Sequence, residues 1–413
     1  MSSPFTNPTA REAALFSQLP QTIAAAQQAA GWASILANIA ANSITTRKAL
    51  ATLPVTRKSD LKDLQQAALP FGGLTTTANN GLKRLFMSPG PIFDPEGCGA
   101  DWWRAAPAFA AAGVVAGDVV HNCFSYHFTP AAFMVEGAAQ ALGCPVVPAG
   151  VGQTEQQLEA LAAFRPRVYA GTPSFLRILI EKAAEAGQDI SHLQIALVAG
   201  EACPPSLRKL LQDGGAAGKN RTVVQWYGTA DLGCIAYETV TNGAVDAGMV
   251  LSEDVILEIV RPGTGDVCDE GEVGEIVITN LNADYPLIRF GTGDMSKVLF
   301  ADADRYTNTR IAGWLGRADQ TTKVRGMFVH PGQVAQVCKK FADIKKARLV
   351  VAGETGQDTM TLHVELAAST EAQLHAIADA VREATKLRCE VQAVALGSLA
   401  NDGKVIEDAR SYA

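Results

Sequence analysis

A chain of 413 residues is too long for one ordinary hydrophobic core, so two or more domains are expected. Hydrophobic residues make up 48% and charged residues 19%, a globular composition that excludes a disordered chain. The formal charge of −7, with no cluster of Lys and Arg, argues against a nucleic-acid or membrane partner but leaves room for a local phosphate pocket.

Cysteines stand at 98, 123, 144, 203, 234, 268, 338 and 389 without a CxxC pair or zinc-ligand spacing. They are expected to be buried free thiols of a reducing cytoplasm. The N-terminal MSSPFTNPTAREAALFSQ lacks a basic stretch followed by an apolar core, so no signal peptide is expected. The apolar runs are too short and interrupted to cross a bilayer.

In chain order, residues 9–52 are mostly helical in pattern, and LPVTRKSDL (53–61) predicts a loop into a helix, with Ser59 or Thr56 as cap. From 119 to 226 short apolar runs alternate with helical patterns. Strands are predicted at 119–123, 145–149, 167–173, 195–201 and 222–228, with helices at 130–142, 154–163, 174–187 and 204–213. That alternation means crossover units and a parallel sheet, whose ligands collect beyond the carboxyl ends of the strands. DVILEIV (254–260) and EVGEIVITNL (272–281) alternate instead, as in a small antiparallel sheet. After Gly326, helices at 331–341 and 370–386 and strands at 347–352, 359–366 and 389–396 form a compact αβ unit.

Three Gly-punctuated turns fall at strand ends or at the domain junction: YGTAD (227–231), RFGTGD (289–294) and GRADQTTKVRG (316–326). In AGEAC (199–203), Gly200 allows a tight turn and close approach of a flat ring, while Glu201 fits equally well as a charge at a helix N-terminus. Asp294, after a Gly-Thr-Gly turn, is suited to accept hydrogen bonds from two adjacent hydroxyls, as a ribose offers. Each turn also has a purely structural reading: loop packing, a surface turn or an interdomain salt bridge.

Together these motifs resemble the adenylate-forming enzymes, in the phenylacetate-CoA ligase-like branch, whose N-terminal LPxTxKxDL signature LPVTRKSDL also matches. The resemblance implies an α/β fold: a large N-terminal domain (1–318) with parallel sheets and a small antiparallel β subdomain, joined by a hinge to a small C-terminal α+β domain (319–413). The sheet core would span about 85–250 and the β subdomain about 250–315.

The function it implies is activation of a carboxylic acid, aryl or small acyl, by ATP to an acyl-adenylate and transfer to CoA. The partners implied are the acid, ATP and CoA, with Mg²⁺ as cofactor, AMP as product and a homodimer as the usual assembly. Gly200, Glu201 and Ala202 map to the adenine wall, and Tyr227, Gly228 and Thr229 to adenine and phosphate. Asp231, in place of the family's Glu, maps to magnesium. Asp294 maps to the ribose, Arg317 to ribose or phosphate, Asp319 to the hinge, and Lys404 in SLANDGKVIED (398–408) to the catalytic lysine on the α-phosphate. FSYHF (124–128) maps to the acyl pocket through Tyr126, His127 and Phe128, although Phe124 and Phe128 fit core packing and His127 fits a buried structural histidine equally well. No zinc is expected, since 232–250 holds only Cys234 and no His.

One segment departs from the family. Its phosphate loop reads SSGTTGKPT or close to it, whereas here SPGPIFDPEG (88–97) keeps Ser88 and Gly90, loses the lysine and brings three prolines and two carboxylates. Binding of AMP, an acyl-adenylate or a CoA ester without adenylation is therefore the alternative function.

Overall fold

The computed structural model describes residues 8–410, apart from 89, 215–220, 262, 300–308, 316, 319, 321, 326, 330, 354–357 and 401–403. The chain divides between Leu315 and Gly316 into two compact units, just ahead of the expected 318/319 boundary.

The first unit is organised on a nine-stranded sheet. Its parallel part runs, in spatial order, Val146–Val147, Val120–Asn122, Val168–Gly171, Ile195–Val198 and Thr222–Thr229. Strand alternation sends successive side chains to opposite faces and so creates two cores. Val168, Ala170, Ile195, Leu197 and Val224 face one core with the helices Ala106–Ala111 and Ala131–Ala141. Tyr169, Ala196, Val198 and Val223 face the other with Thr154–Phe164, Pro173–Glu185 and Pro205–Asp213. The helix Pro173–Glu185 starts where it does because Thr172 Oγ1 accepts the Phe175 amide and Pro173 opens the first turn.

Beyond Thr229 the sheet continues antiparallel through Gly233–Tyr237, Met249–Leu251, Arg310–Ile311 and Val298–Leu299, an extension that the sequence pattern did not suggest. The expected antiparallel subdomain is present as Val255–Val260, Gly274–Asn280 and Phe290–Ser296. Its edge is completed by Thr56–Arg57, parallel to Phe290–Ser296. That strand corrects the expected cap in LPVTRKSDL. Neither Ser59 nor Thr56 caps; Asp60 accepts the Arg57 amide instead, because Thr56 is committed to the sheet. Arg289 holds this junction: fully buried, it donates to Glu258 at 2.9 Å and to the carbonyls of Ala51, Leu53 and Gly265.

The second unit has its own sheet, ordered Glu390–Val394, Thr359–Glu365, Lys346–Ala352 and Ile406–Asp408, covered by the helices Pro331–Lys340 and Glu371–Thr385. Val351, Leu362, Val364 and Ile377 form its core. All eight cysteines are free thiols, but only Cys123, Cys144, Cys203 and Cys234 are buried; Cys98 is exposed and the rest are half-buried. Among the described residues no helix is long and apolar enough to cross a membrane.

Candidate active site

Three turns leave neighbouring carboxyl ends of the parallel strands, and the first two touch. Ser174 Oγ, after Val168–Gly171, donates to Glu201 Oε2 at 2.5 Å, after Ile195–Val198. Gly200 between them has φ +80°, and a Cβ there would meet only Thr172 and Phe124 at 3.9 and 4.0 Å. Backbone conformation, not crowding, therefore requires glycine at 200. Glu201 and Ala202 stay half-buried beside it.

The third turn follows Thr222–Thr229. Tyr227 Oη donates to Asp294 Oδ2 at 2.9 Å, joining two motifs that lie far apart in the chain. Asp294 is 7% exposed, and its Oδ1 accepts from Trp314 Nε1 at 3.0 Å. A carboxylate can accept more than one hydrogen bond on each oxygen, as recognition of paired hydroxyls requires. Gly228 sits at a register shift, where a Cβ would stand 2.5 Å from the Gly233 carbonyl oxygen. Thr229 Oγ1 closes the turn by accepting the Leu232 amide at 3.2 Å, and its own proton is left to donate.

Asp231 is engaged otherwise than the sequence suggests. Its side chain has no exposed surface, and Oδ2 is paired with Lys58 Nζ at 2.5 Å. Its charge also acts on the buried Asp94 carboxyl. Among the described residues no group of three or more His, Cys, Asp and Glu could hold a metal. In this structure the carboxylate expected as a metal ligand is held in an ion pair by the Lys58 ammonium.

The stretch expected as a phosphate loop is a β hairpin, Arg84–Ser88 against Ile92–Glu96. Alternate amides pair across the hairpin, and those of Met87 and Phe93 are taken by Phe128 and Gln65. Ser88 Oγ donates to Asp94 Oδ2 at 2.9 Å, while Gly90 is exposed in the turn. Glu96 is buried under Arg84 and Lys83, at 3.0 and 3.4 Å. Gln65 clamps Phe93 in both directions, accepting its amide at 2.9 Å and donating to its carbonyl at 2.8 Å.

The hairpin also reaches the expected acyl segment, since the Met87 amide donates to the Phe128 carbonyl. Tyr126 is half-buried, donates to Glu136 at 2.9 Å and packs edge-to-face on Phe133. Burial, with Glu136 adding to it, raises its pKa. His127 is exposed, which removes the buried-histidine alternative. Phe128 is 57% exposed with φ +61°, so it is no core residue, whereas Phe124 is buried against Trp226.

The remaining expected residues belong to the second unit. Arg317 is half-buried, Lys404 is exposed, and Asp319 lies outside the described residues. Gln320 Oε1 accepts the amides of Val405 and Ile406 at 2.7 and 3.1 Å, fixing the base of the Lys404 turn to the segment after the hinge.

Residues 100–282 match the family model described as AMP-binding enzyme. A phenylacetate-coenzyme A ligase of Thermus thermophilus is 31% identical over 332 residues, covering 77% of this chain and 72% of that protein. The chain belongs to the phenylacetate-CoA ligase-like branch of the adenylate-forming enzymes. A second relative, a phenylacetate-coenzyme A ligase of Aromatoleum evansii, is 30% identical over 331 residues, covering 77% of this chain and 72% of that one. A crystal structure of a 2-hydroxyisobutyryl-CoA ligase with its acyl-adenylate and CoA aligns with TM-score 0.79 at 23% identity, over 98% of this chain and 91% of that one, and shows the same fold.

Within that family, sequence reasoning passed over Lys58, Trp314 and Gln320. Lys58 was visible as the lysine of LPVTRKSDL, Trp314 precedes the hinge motif and Gln320 lies within it, but nothing in the spacing named their partners.

Proposed function

We propose that this chain uses ATP to convert an aryl or small acyl carboxylic acid into an acyl-adenylate and then passes the acyl group to the thiol of CoA. The carboxylate attacks the α-phosphorus and pyrophosphate leaves; the thiol then attacks the acyl carbon and AMP leaves. The observation that carries the reading is the Tyr227–Asp294 hydrogen bond, which joins the turn after Thr222–Thr229 to the strand Phe290–Ser296. Asp294 accepts the ribose hydroxyls, Gly200, Glu201 and Ala202 wall the adenine, and Tyr227, Gly228 and Thr229 border the phosphate. Tyr126, with His127 and Phe128 at its rim, borders the acyl group. Arg317 faces ribose or phosphate, and Asp319 is the pivot that brings Lys404 to the α-phosphate, where its ammonium offsets developing charge. Magnesium arrives on the triphosphate as part of the substrate.

Pyrophosphate release over a panel of aryl and short-chain acids, with and without CoA, tests this. One acid is expected to give CoA-dependent turnover, with Lys404→Ala slower by about a hundredfold or more. No acid turning over above the Lys404→Ala background sinks the ligase reading. The second reading, a site that binds AMP, acyl-adenylate or CoA ester without adenylating, is favoured by the hairpin in place of the phosphate loop.

A further inference from the structure

Gln320 stands next in sequence to Asp319, the pivot of the reading above, and its backbone is left-handed, with φ +59°. At a residue other than glycine that conformation costs free energy and persists where the surroundings fix it. Here the side chain is fixed by Val405 and Ile406, whose amides both donate to its Oε1, at 2.7 and 3.1 Å. Two successive amides that converge on one oxygen belong to a bend, not to an extended strand. Val405 is that bend, between the exposed Lys404 and the strand Ile406–Asp408. The glutamine carbonyl therefore fixes the backbone immediately after the lysine.

The other ties of this turn come from its own sheet. Lys346 Nζ donates to the carbonyls of Leu399 and Ala400 at 3.2 and 2.8 Å, and Arg348 Nη2 to that of Ala400 at 3.0 Å. The Val405 carbonyl accepts the Leu349 amide at 2.9 Å. The Gln320 tie is of another kind, because it joins the turn to the segment that follows the pivot. A loose joint at that place would let the unit rotate without bringing Lys404 to one position.

We propose that Gln320 is a positioning residue for the adenylation step: its side-chain carbonyl links the setting of the hinge to the direction of Lys404. The proposal rests on the ligase reading above, in which Lys404 reaches the α-phosphate. Gln320 acts through the lysine and not on the substrate. Misplacing a catalytic group by about 1 Å can cost about a hundredfold in rate.

The test is pyrophosphate release by the full-length protein at varied ATP, with the acid of the panel that the wild type turns over fastest. It compares Gln320→Asn, Gln320→Glu, Lys404→Ala and the double variant Gln320→Asn with Lys404→Ala, with a thermal melt of each. Asparagine accepts a left-handed backbone and withdraws the oxygen by one methylene, whereas glutamate keeps an acceptor at the same reach. Gln320→Asn is expected to lower kcat by about tenfold or more with KM for ATP within about threefold, and Gln320→Glu to recover most of that loss. In the Lys404→Ala background Gln320→Asn is expected to cost nothing further, because the group it positions is gone. A folded Gln320→Asn with wild-type kcat overturns the proposal, and so does an equal loss with and without Lys404, which would mark a merely structural role. If the asparagine variant does not fold, Gln320→Ala is read in its place by the same criteria. A wild type that turns over no acid overturns the ligase reading and this proposal with it, a result distinct from turnover that is indifferent to residue 320.

Discussion

Asp94 has no exposed surface, and burial, with the Asp231 charge adding to it, pushes its pKa up to about 8 despite Lys58 and the Ser88 hydroxyl. An unfolded aspartate titrates near about 3.9. A carboxyl whose folded pKa is raised binds its proton more tightly in the native state, so its contribution to stability is full below about pH 4 and is lost as pH rises through about 8. Urea midpoints of the wild type are therefore expected to fall between pH 6 and 9, with a shallower fall in Asp94→Asn. Parallel profiles would show that the decline originates elsewhere. The groups facing Asp94 are Ser88 on its own hairpin, Asp231 and Lys58 on two other segments, and Tyr285, whose own pKa burial holds well above the ordinary range. At this scale the sequence disclosed that the loop had lost its lysine and gained carboxylates. It could not disclose that Asp94 turns inward to full burial beneath Ser88, because that burial comes from tertiary packing of the hairpin.

The elements most legible in the sequence were those whose side-chain period reports their surroundings. Ile195–Val198 and Val168–Gly171 are buried on both faces and read as short apolar runs, and Glu371–Thr385 carries a Thr370 cap and a clear apolar stripe. The hairpin was not legible, since Pro91 and Pro95 read as lost donors. Pro95 is tolerated because a two-stranded hairpin leaves one edge of each strand without a ladder to complete. What fixes the hairpin to the body is partly Gln65, from the helix Leu61–Ala67, through its two bonds to Phe93. Gln65→Leu leaves both Phe93 backbone groups without that partner, at a cost of about 1–3 kcal/mol. Hydrogen exchange is expected to quicken in 84–96 while the strand Lys346–Ala352 in the second unit is unchanged. Unaltered exchange in the hairpin would mean that Arg84 and Lys83 on Glu96 hold it without Gln65.

At the scale of the whole chain, a change of hydrophobic rhythm near residue 250 and a compact αβ pattern after Gly326 were enough to read a two-part molecule. The hinge was read from a motif, and its pivot, Asp319, lies outside the described residues. The second unit has what an independently folding domain needs: a closed core around Val351, Leu362, Val364 and Ile377, a four-stranded sheet of its own and two covering helices. It also has internal polar ties. Arg410 pairs with Asp358 at 3.3 Å, Thr322 donates to Asp408 at 2.8 Å, and Gln320 holds the turn that presents Lys404. Residues 316–413 expressed alone are therefore expected to melt cooperatively, and the full chain to show two transitions, one at the temperature of the isolated unit. Since Lys404 is exposed and its turn is anchored inside this unit, Lys404→Ala is expected to leave the fragment's transition in place. A surface substitution away from buried contacts usually shifts stability by no more than about 0.5 kcal/mol. Calorimetry of the fragment, the full chain and the variant measures all three; a fragment without a cooperative transition would show that its fold depends on the first unit, and the expected loss of turnover in Lys404→Ala could then no longer be assigned to chemistry alone.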